Sequence, residues 1–347
     1  MAVVIGLMSG TSLDGLDICC ARFSKNLKDF QILAYATIPY TLYWREKLEN
    51  AFYNSSTELD QLDKEYGEFL GHAVADFLPQ HKLPKVDLIS SHGHTVFHDP
   101  EKGITKQIGS GSEIAKKTGI PVVYDFRSQD VGLGGQGAPL VPVGDALLFP
   151  QYDACVNLGG FTNISFDQNK QRIAYDICAC NIVLNHFAQL LGKPFDHNGT
   201  FAKQGIVHLP LLEKLNALDY YKKTGPKSLA REFSEQKLLP MMSNLHEKDI
   251  LHTYTKHIGF QIGKAITESD ATSCLISGGG VYNRFLIEQI KKNAHCLIEI
   301  PKKQLIDTKE ALVFALLGHL RFKNQINVWA SVTGAKKDHS AGQVVFP

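Results

Sequence analysis

An apolar run meets a turn rich in Gly, Ser and Thr in the stretch Val3-Val4-Ile5-Gly6-Leu7-Met8-Ser9-Gly10-Thr11-Ser12-Leu13-Asp14-Gly15-Leu16-Asp17. Glycines let backbone N–H groups approach an anion closely, and Ser and Thr hydroxyls add donors, so this turn can hold phosphates. Asp14 can bind a water on a phosphate-bound Mg²⁺. Because a strand-like run follows at residues 17–23, the stretch predicts a hairpin tip and not the strand-to-helix turn of a P-loop. An ordinary glycine hairpin would have the same local pattern.

A second strand–turn–strand pattern lies near mid-chain, where Gly159 and Gly160 separate strand-like runs at residues 153–158 and 161–166. A third cluster, Gly278-Gly279-Gly280, follows a buried-looking strand and precedes a helix start, and such glycines let a flat ring or a phosphate lie against the backbone. Three clusters in this order predict an α/β protein. The pattern is typical of the two-lobed ATP-binding fold of the sugar kinase, Hsp70 and actin type, with a central nucleotide cleft.

Length and charge indicate the number of domains and exclude two classes of partner. A chain of 347 residues exceeds what one hydrophobic core usually serves. We therefore expect an N-terminal lobe at residues 1–147 and a C-terminal lobe at 148–347, whose tail from about residue 326 is free to pack back on the first lobe. The formal net charge of +1, from 36 basic and 35 acidic residues, provides no polyelectrolyte face for nucleic acid or an anionic membrane.

Targeting patterns and cysteine usage predict a cytoplasmic protein. The first residues already belong to the predicted hairpin, and no apolar run approaches the length of a membrane span. Seven cysteines without an export signal favour reduced thiols. Cys178 and Cys180 lack the spacing and partners of a metal site, so a structural role is favoured over metal or redox chemistry.

Two further segments contain candidate site residues. The run at residues 125–142 has too many Gly and Pro residues for regular structure and is too apolar for a flexible linker, so we expect an ordered active-site or interface loop. Residues 307–317 predict a capped, mostly buried helix with Glu310 in its first turn. An acid at that position is favourable to the helix dipole, or it points into the cleft.

These motifs together resemble those of the anhydro-N-acetylmuramic acid kinase family over essentially the whole chain. They occur in order at residues 8–17, 91–98, 125–127, 134–142, 157–163, 226–228, 231–233, 277–283, 310–314 and 331–335. Members of that family are similar in fold to the sugar kinases. The resemblance implies that ATP and Mg²⁺ are used to open the 1,6-anhydro ring of anhydro-N-acetylmuramic acid with water and to phosphorylate O6, a step of cell-wall recycling. It also implies a homodimer.

The resemblance assigns the site residue by residue. It makes Asp176 the base for the attacking water, because breaking the anhydro bond needs a carboxylate near the anomeric carbon. The expected ATP and phosphate contacts are Ser9, Gly10, Thr11, Ser12, Asp14, Gly159, Gly160, Gly278, Gly279, Gly280 and Asn283, with Mg²⁺ held through a water on Asp14. The expected contacts to the amino sugar are His92, Gly93, Arg127, Asp130, Gly135, Gln136, Asn181 and Glu310.

The histidines and the loop residues leave alternatives open. His92, His94 and His98 crowd after a strand, which favours hydrogen-bonding or structural roles, with a zinc site as the alternative. His94 stands where Gln is usual in the family. Arg127 and Asp130 are either sugar contacts or a surface ion pair of little energetic weight.

The chain departs from the family pattern beside the expected base. Asp176 and Asn181 keep their separation, but the family's Thr-Gly-Pro-Gly between them is Ile177-Cys178-Ala179-Cys180. We expect the cysteine side chains to reshape the turn or narrow the pocket. Ser110 stands where Asp is usual. Three functions therefore remain open: a kinase of the anhydro amino sugar, a nucleotide-binding relative with impaired catalysis, and a kinase of another sugar.

Overall fold

The computed structural model describes residues 1–10, 13–27, 29–223 and 227–347. They form two compact units, here called unit 1 (Met1–Pro150 with Thr308–Pro347) and unit 2 (Gln151–Asp307). The sequence-based division gave residues 308–325 to the second lobe, whereas the structure places them in unit 1. The physical reason is close packing, because a Cβ on Gly6 would lie only 1.8 Å from the Ala311 carbonyl oxygen.

Both units contain strands and helices in the described residues. The strands are β1 Ala2–Ser9, β2 Gly15–Phe23, β3 Phe30–Pro39, β4 Leu88–Ser91, β5 His94–Asp99, β6 Ile104–Ile108, β7 Val122–Tyr124, β8 Ala154–Leu158, β9 Phe161–Gln168, β10 Gln171–Ala179, β11 Ser273–Ser277, β12 Leu297–Glu299 and β13 Gln343–Val345. The α-helices are α1 Leu42–Asn50, α2 Ser56–Gln80, α3 Gly111–Thr118, α4 Ser128–Gly132, α5 Val141–Leu148, α6 Asn181–Leu190, α7 Thr200–Gln204, α8 Leu209–Asn216, α9 Arg231–Phe233, α10 Glu247–Glu268, α11 Arg284–Asn293, α12 Lys303–Phe322 and α13 Ala330–Thr333. Short 3₁₀ turns lie at Ala51–Tyr53, Pro100–Lys102, His197–Gly199, Asp219–Lys222, Leu239–Met242 and Gly279–Tyr282, and a π-helical turn at Ser234–Leu238.

The same strand topology occurs in both units. The unit 1 sheet has the order β13-β7-β4-β1-β2-β3, and the unit 2 sheet has the order β10-β9-β8-β11-β12. In each, the first three strands of the unit pair antiparallel, and two later strands add in parallel beside the first. The two sheets confirm the predicted α/β class. The repeat agrees with the two strand–turn–strand patterns in the sequence.

The central strands explain why the sequence forms these sheets. Strand β1 is a nearly continuous buried apolar run, as expected for a strand covered on both faces. Its register with β2, from Ala2 opposite Phe23 to Ser9 opposite Leu16, places the Gly- and Ser-rich turn at the tip of a hairpin. The hairpin prediction is therefore confirmed.

Helix packing completes the core of unit 2. Helix α10 is buried along most of its length and packs against α11, where Gly259 and Gly263 admit Gln289 and Asn293 at contact distances that a Cβ would block. The Tyr254 hydroxyl donates to the Ala179 carbonyl at 2.9 Å, which ties α10 to the end of β10. Helix α10 thus holds the end of β10, the strand that contains the expected base Asp176.

The Gly- and Pro-rich run is more regular than its composition predicts. Residues Ser128–Gly132 form α4, and α5 begins at Val141 with Pro142 in its first turn, where a missing N–H costs nothing. The expectation of a run without regular structure is therefore wrong at both ends. None of the described helices is long and apolar enough to cross a membrane.

Candidate active site

The first hairpin brings a glycine turn and one exposed acid together. The Leu13 N–H donates to the Gly10 carbonyl at 3.3 Å, and the exposed residue Asp14 follows. Gly15 has no room for a side chain, because a Cβ would lie 2.4 Å from the Ile38 carbonyl oxygen of β3. The predicted contacts Thr11 and Ser12, and Pro226 of a later motif, lie outside the described residues.

Ser9, an expected phosphate contact, has a buried side chain that is hydrogen-bonded within unit 1. Its side chain is 2% exposed. The Ser9 Oγ accepts a hydrogen bond from the Tyr40 hydroxyl at 2.7 Å and lies 3.0 Å from His94 Nδ1. The hydroxyl is turned into unit 1, because Tyr40 and His94, from two other segments, satisfy it there.

The second hairpin is joined to the expected catalytic segment by hydrogen bonds. At the start of α6, the N–H groups of Cys180 and Ile182 donate to the Gly160 carbonyl at 2.8 and 3.3 Å, and the Asn181 N–H donates to the Gly159 carbonyl at 3.2 Å. The first amides of the helix are therefore occupied by the glycine turn. A Cβ built on Gly160 would meet no described atom within 4 Å, so this exposed backbone is open to a ligand.

In the third cluster, two glycines are tightly packed against neighbouring residues and one borders open space. Gly278 has φ +87°, and a Cβ there would lie 2.5 Å from the Asn157 side-chain oxygen; a Cβ on Gly280 would lie 2.7 Å from that of Leu158. Gly279 is exposed and has no described atom within 4 Å of an added Cβ. Of the three, Gly279 alone leaves open space for a ligand.

Asn283 has a structural contact. Its side-chain oxygen accepts from the Leu286 N–H at 3.0 Å and so caps α11. The cap holds the start of the helix that follows the glycine cluster.

Asp176 is a partly buried carboxylate held at a bulge in β10. Its Oδ2 accepts from the Leu229 N–H at 2.9 Å, its carbonyl accepts from the Tyr220 hydroxyl at 2.6 Å, and its N–H donates to the Lys227 carbonyl at 2.9 Å. Burial raises the pKa of the carboxyl, and the Leu229 N–H opposes that effect by stabilising the anion. A positioned carboxylate with a raised pKa is suited to general-base chemistry.

Cys178 and Cys180 do not narrow an open pocket. The register of β10 against β9 shifts between Asp176 and Cys178, and both cysteine side chains are 0% exposed within the unit 2 core. Burial raises the pKa of both thiols, that of Cys180 to about 12, so they stay protonated. The expectation of a narrowed pocket is wrong, because the bulge directs these side chains into the core.

The buried cysteines predict the effect of restoring glycine. The double change Cys178→Gly with Cys180→Gly should not increase turnover, and it should lower the free energy of unfolding by about 1–3 kcal/mol per site through lost packing. Thermal unfolding and steady-state kinetics measure the two quantities. Cys296→Gly, at a half-buried cysteine, is the matched control, and it should lower the free energy of unfolding by a smaller amount. A double variant with higher turnover and unchanged stability would contradict the assignment of these residues to the core.

Within unit 1, the buried His92 forms a pair with the partly buried Arg127. Arg127 donates through Nε and Nη2 to His92 Nε2 at 3.1 and 2.8 Å, and through Nη1 to the Gly137 carbonyl at 2.6 Å. His92 Nδ1 lies 2.9 Å from the Gly93 carbonyl, so the imidazole proton is on Nδ1. Burial, and then the Arg127 charge, hold the pKa of His92 well below its ordinary value. His92 is therefore neutral.

Asp130, an expected sugar contact, is buried and does not form a surface ion pair. Its side chain is 0% exposed; Oδ2 accepts from the Gly137 N–H at 2.6 Å and Oδ1 from the Thr333 hydroxyl at 2.7 Å. Gly135 must lack a side chain, because a Cβ there would lie 2.2 Å from Asp130 Oδ2. Asp130 therefore holds the glycine loop together. Gln136 is exposed on that loop, with its N–H bonded to the Thr333 carbonyl.

Glu310 lies deeper in its helix than the sequence predicts. Helix α12 begins at Lys303, so Glu310 is its eighth residue and lies outside the first turn. The helix-dipole explanation is therefore wrong. Burial raises the pKa of Glu310, while Lys309 and Arg127 oppose that rise. Burial lowers the pKa of Arg127 to about 10, and Glu310 counteracts it. The two charges are near enough to stabilise each other.

A polar cavity of about 250 Å³ opens beside His92 and Gly93. Its lining includes Asp63, Gln107 and Gln343, which sequence reasoning missed. The Gln107 Oε1 atom is buried and makes no hydrogen bond to the described residues. Gln343 comes from β13, so only the sheet pairing with β7 brings it here. No local sequence signal indicates that contact.

Metal binding has one modest candidate. Within residues 1–10, 13–27, 29–223 and 227–347, no group of three or more His, Cys, Asp or Glu side chains is arranged to hold an ion. His92 is bonded to Arg127 and His94 lies against Ser9, which removes support for a zinc site. Asp14 supplies one exposed carboxylate at the glycine turn. That donor fits Mg²⁺, which retains waters and takes most other ligands from phosphates.

Comparison with known proteins settles the family. A family model described as anhydro-N-acetylmuramic acid kinase matches residues 2–347. The chain belongs to the anhydro-N-acetylmuramic acid kinase family. An anhydro-N-acetylmuramic acid kinase from Sulfurimonas denitrificans is 30% identical over 364 residues, covering 98% of this chain and 98% of that protein. One from Actinobacillus pleuropneumoniae serotype 3 is 33% identical over 371 residues, covering 99% and 98%.

A solved structure is similar over most of the chain at low identity. The ROK family glucokinase from Streptomyces griseus, in complex with glucose and AMPPNP, aligns with TM-score 0.43 and 12% identity, covering 92% of this chain and 99% of that one. The family assignment rests on the full-length match to anhydro-N-acetylmuramic acid kinases, which confirms the resemblance inferred from the ordered motifs.

Proposed function

We propose that this member of the family is an ATP-dependent kinase that opens the 1,6-anhydro ring of anhydro-N-acetylmuramic acid with water and phosphorylates O6, in peptidoglycan recycling. The match to the family over residues 2–347 carries the proposal. The anchored, partly buried carboxylate of Asp176 supports it, because the reaction needs a base at a fixed position. The burial of Cys178 and Cys180 also supports it, because their side chains lie in the core of unit 2.

The chemistry follows from the carboxylate and the substrates. Asp176 takes a proton from water and later releases it to solvent, while the water oxygen attacks the anomeric carbon C1. The bond from C1 to the bridging oxygen breaks, and that oxygen, now on C6 alone, attacks the γ-phosphorus of ATP. ADP leaves with the electron pair of the broken phosphoanhydride bond. The products are N-acetylmuramic acid 6-phosphate and ADP.

In unit 1, sugar binding is proposed for His92, Gly93, Arg127, Gln136 and Glu310. The neutral His92 has Nε2 committed to Arg127, so the pair presents a positioned cation with Glu310 as its counter-charge. A partly buried guanidinium suits the carboxylate of the substrate's lactyl group. Asp130 and Gly135 act through the loop that they hold together.

The nucleotide contacts are proposed at exposed backbone. Gly160 and Gly279 have open space where a side chain would stand, and Gly10 begins the first turn. Asn181 acts indirectly, since its N–H bonds to the Gly159 carbonyl and its Nδ2 donates to the Leu158 carbonyl at 3.2 Å. Mg²⁺, held through a water on Asp14, would neutralise charge on the phosphates.

Blocking the open glycines should weaken ATP binding without unfolding the protein. Gly160→Val and Gly279→Val each place atoms in space that no described atom fills, so we expect ATP affinity to fall at least about tenfold, or ~1.4 kcal/mol. The free energy of unfolding should change by less than about 1 kcal/mol. Gly132→Ala, at an open glycine outside the proposed nucleotide contacts, is the control. Unchanged ATP affinity in both valine variants would place the nucleotide elsewhere.

The direct test of the function is ADP release by purified protein with Mg-ATP and anhydro-N-acetylmuramic acid. We expect release that depends on the anhydro sugar and is absent with N-acetylmuramic acid, which lacks the anhydro bond. ATP binding without turnover would instead support the impaired relative. Turnover with glucose or another hexose alone would support a different sugar kinase.

Assembly and location are also proposals. A homodimer is what the resemblance implies, and the exposed side chains of Leu42, Tyr43, Phe52 and Tyr53 offer an apolar surface for one. A cytoplasmic location is supported by the absence of disulfides among the seven cysteines, all within the described residues.

A further inference from the structure

A chain of buried hydroxyls ends at the first glycine turn. The hydroxyls of Tyr66 and Tyr40 lie 2.6 Å apart, the Tyr40 hydroxyl donates to Ser9 Oγ at 2.7 Å, and Ser9 Oγ lies 3.0 Å from His94 Nδ1. None of the four residues is more than 4% exposed. They come from α2, the residue after β3, the end of β1 and the start of β5, so the series of hydrogen bonds joins four segments of unit 1.

In this series of hydrogen bonds, donation runs in one direction, from Tyr66 to His94. Burial lowers the pKa of His94 to about 4, so the imidazole is neutral near neutral pH, and in the tautomer with its proton on Nε2 the Nδ1 atom accepts from Ser9. Burial raises the pKa of Tyr40 and Tyr66, so both remain protonated donors. Tyr66 then donates to Tyr40, Tyr40 to Ser9, and Ser9 to His94. Each hydroxyl donates once, and every link is satisfied.

Tyr40 also contacts the far side of the turn. Its backbone N–H donates to the Asp14 carbonyl at 3.4 Å, while its hydroxyl holds Ser9. One residue therefore bonds both flanks of the turn, at residues 9 and 14. The Leu13 N–H also donates to the Gly10 carbonyl, so this bond and the two bonds of Tyr40 all hold described residues beside the turn.

We propose that Tyr40, Tyr66 and His94 are positioning residues that fix Ser9 and Asp14, and thereby set the glycine turn for ATP. None of the three touches the nucleotide in this account. His94 acts as the terminal acceptor, so an acceptor at its position is what the turn requires. The inference rests on the proposed function only in that ATP is the ligand of the turn.

The test compares variants that keep or remove one link. His94→Leu removes the acceptor, His94→Gln retains one through its amide oxygen, and Tyr40→Phe removes the hydroxyl but keeps the backbone N–H. We expect ATP affinity, measured by calorimetry with Mg-ATP alone, to fall about tenfold in His94→Leu and Tyr40→Phe and to stay within about twofold in His94→Gln. Tyr35→Phe, at an exposed tyrosine of β3, should match the wild type.

Affinity for the anhydro sugar separates positioning from general loss of structure. We expect sugar affinity within about twofold of the wild type in all four variants, because the chain ends at the nucleotide turn. Unchanged ATP affinity in His94→Leu and Tyr40→Phe would overturn the inference, as would an equal loss of ATP and sugar affinity. A wild type that binds ATP but releases no ADP with the sugar would count against the proposed function and leave the inference standing.

Discussion

Asp176→Asn is expected to reduce turnover by ~10² to 10⁴, the range for a lost general base, while ATP affinity stays within about twofold. The amide keeps the shape of the carboxylate and can still accept from the Leu229 N–H, so the bulge in β10 should persist. What it cannot do is take a proton from water. Steady-state kinetics with the anhydro sugar and calorimetry with Mg-ATP measure the two expectations.

The pH profile gives the same variant a second readout. Burial raises the pKa of the Asp176 carboxyl, and a base works only when ionised, so kcat/KM should fall as the pH falls through this raised pKa. The acidic limb should lie above the range of an ordinary aspartate and disappear from the residual activity of Asp176→Asn. Asp167 is an exposed acid of the same sheet. Asp167→Asn should therefore retain wild-type turnover and the acidic limb of the pH profile. Full activity in Asp176→Asn would remove this residue from the base role.

Lys309→Met is expected to lower the free energy of unfolding by ~3–5 kcal/mol. Lys309 and Asp145 form an ion pair at 2.7 Å with side chains only 4% and 6% exposed, joining α12 to α5. Removing the cation leaves the carboxylate buried without its main counter-charge. Denaturant unfolding followed by circular dichroism measures the loss.

A second variant distinguishes charge from shape. Lys309→Met with Asp145→Leu removes both charges and should recover most of the loss, because a well-packed apolar pair can replace a buried ion pair. Lys303 is an exposed residue of the same helix and pairs with Asp307. Lys303→Met should lower the free energy of unfolding by less than about 1 kcal/mol. Equal losses in the single and double variants would show that lost packing, and not an uncompensated charge, sets the cost. Lys309 directly precedes Glu310 in α12. The Lys309–Asp145 ion pair therefore also holds the part of α12 that contains Glu310.

The fold was predictable because its decisive signals are local. Two apolar runs flanking a glycine turn specify a hairpin wherever they occur, and the chain contains that pattern at β1–β2 and again at β8–β9. The burial of β1 on both faces follows from its apolar run. The extent of unit 1 was less predictable, because it depends on Gly6 admitting α12 from the far end of the chain.

The site was predictable by residue type more than by orientation. Ser9 and Asp130 have the chemistry of ligand contacts, yet each side chain is satisfied inside unit 1 by partners distant in sequence, Tyr40 and Thr333 among them. A one-residue bulge likewise sends Cys178 into the core, and sequence spacing carries no sign of that bulge. Gln107 and Gln343 were missed because only tertiary structure brings them to the cavity.

The position of solvent oxygen in the product tests the proposed reaction most directly. The reaction is run in ¹⁸O-labelled water with Mg-ATP and the anhydro sugar, and the fresh product is analysed by mass spectrometry of fragment ions that separate the C1 oxygen from the C6 oxygen. Attack by water at the anomeric carbon predicts label on C1 and unlabelled oxygen in the bridge from C6 to phosphorus. Label in that bridge, with none introduced at C1, would contradict hydrolytic opening by an Asp176-activated water.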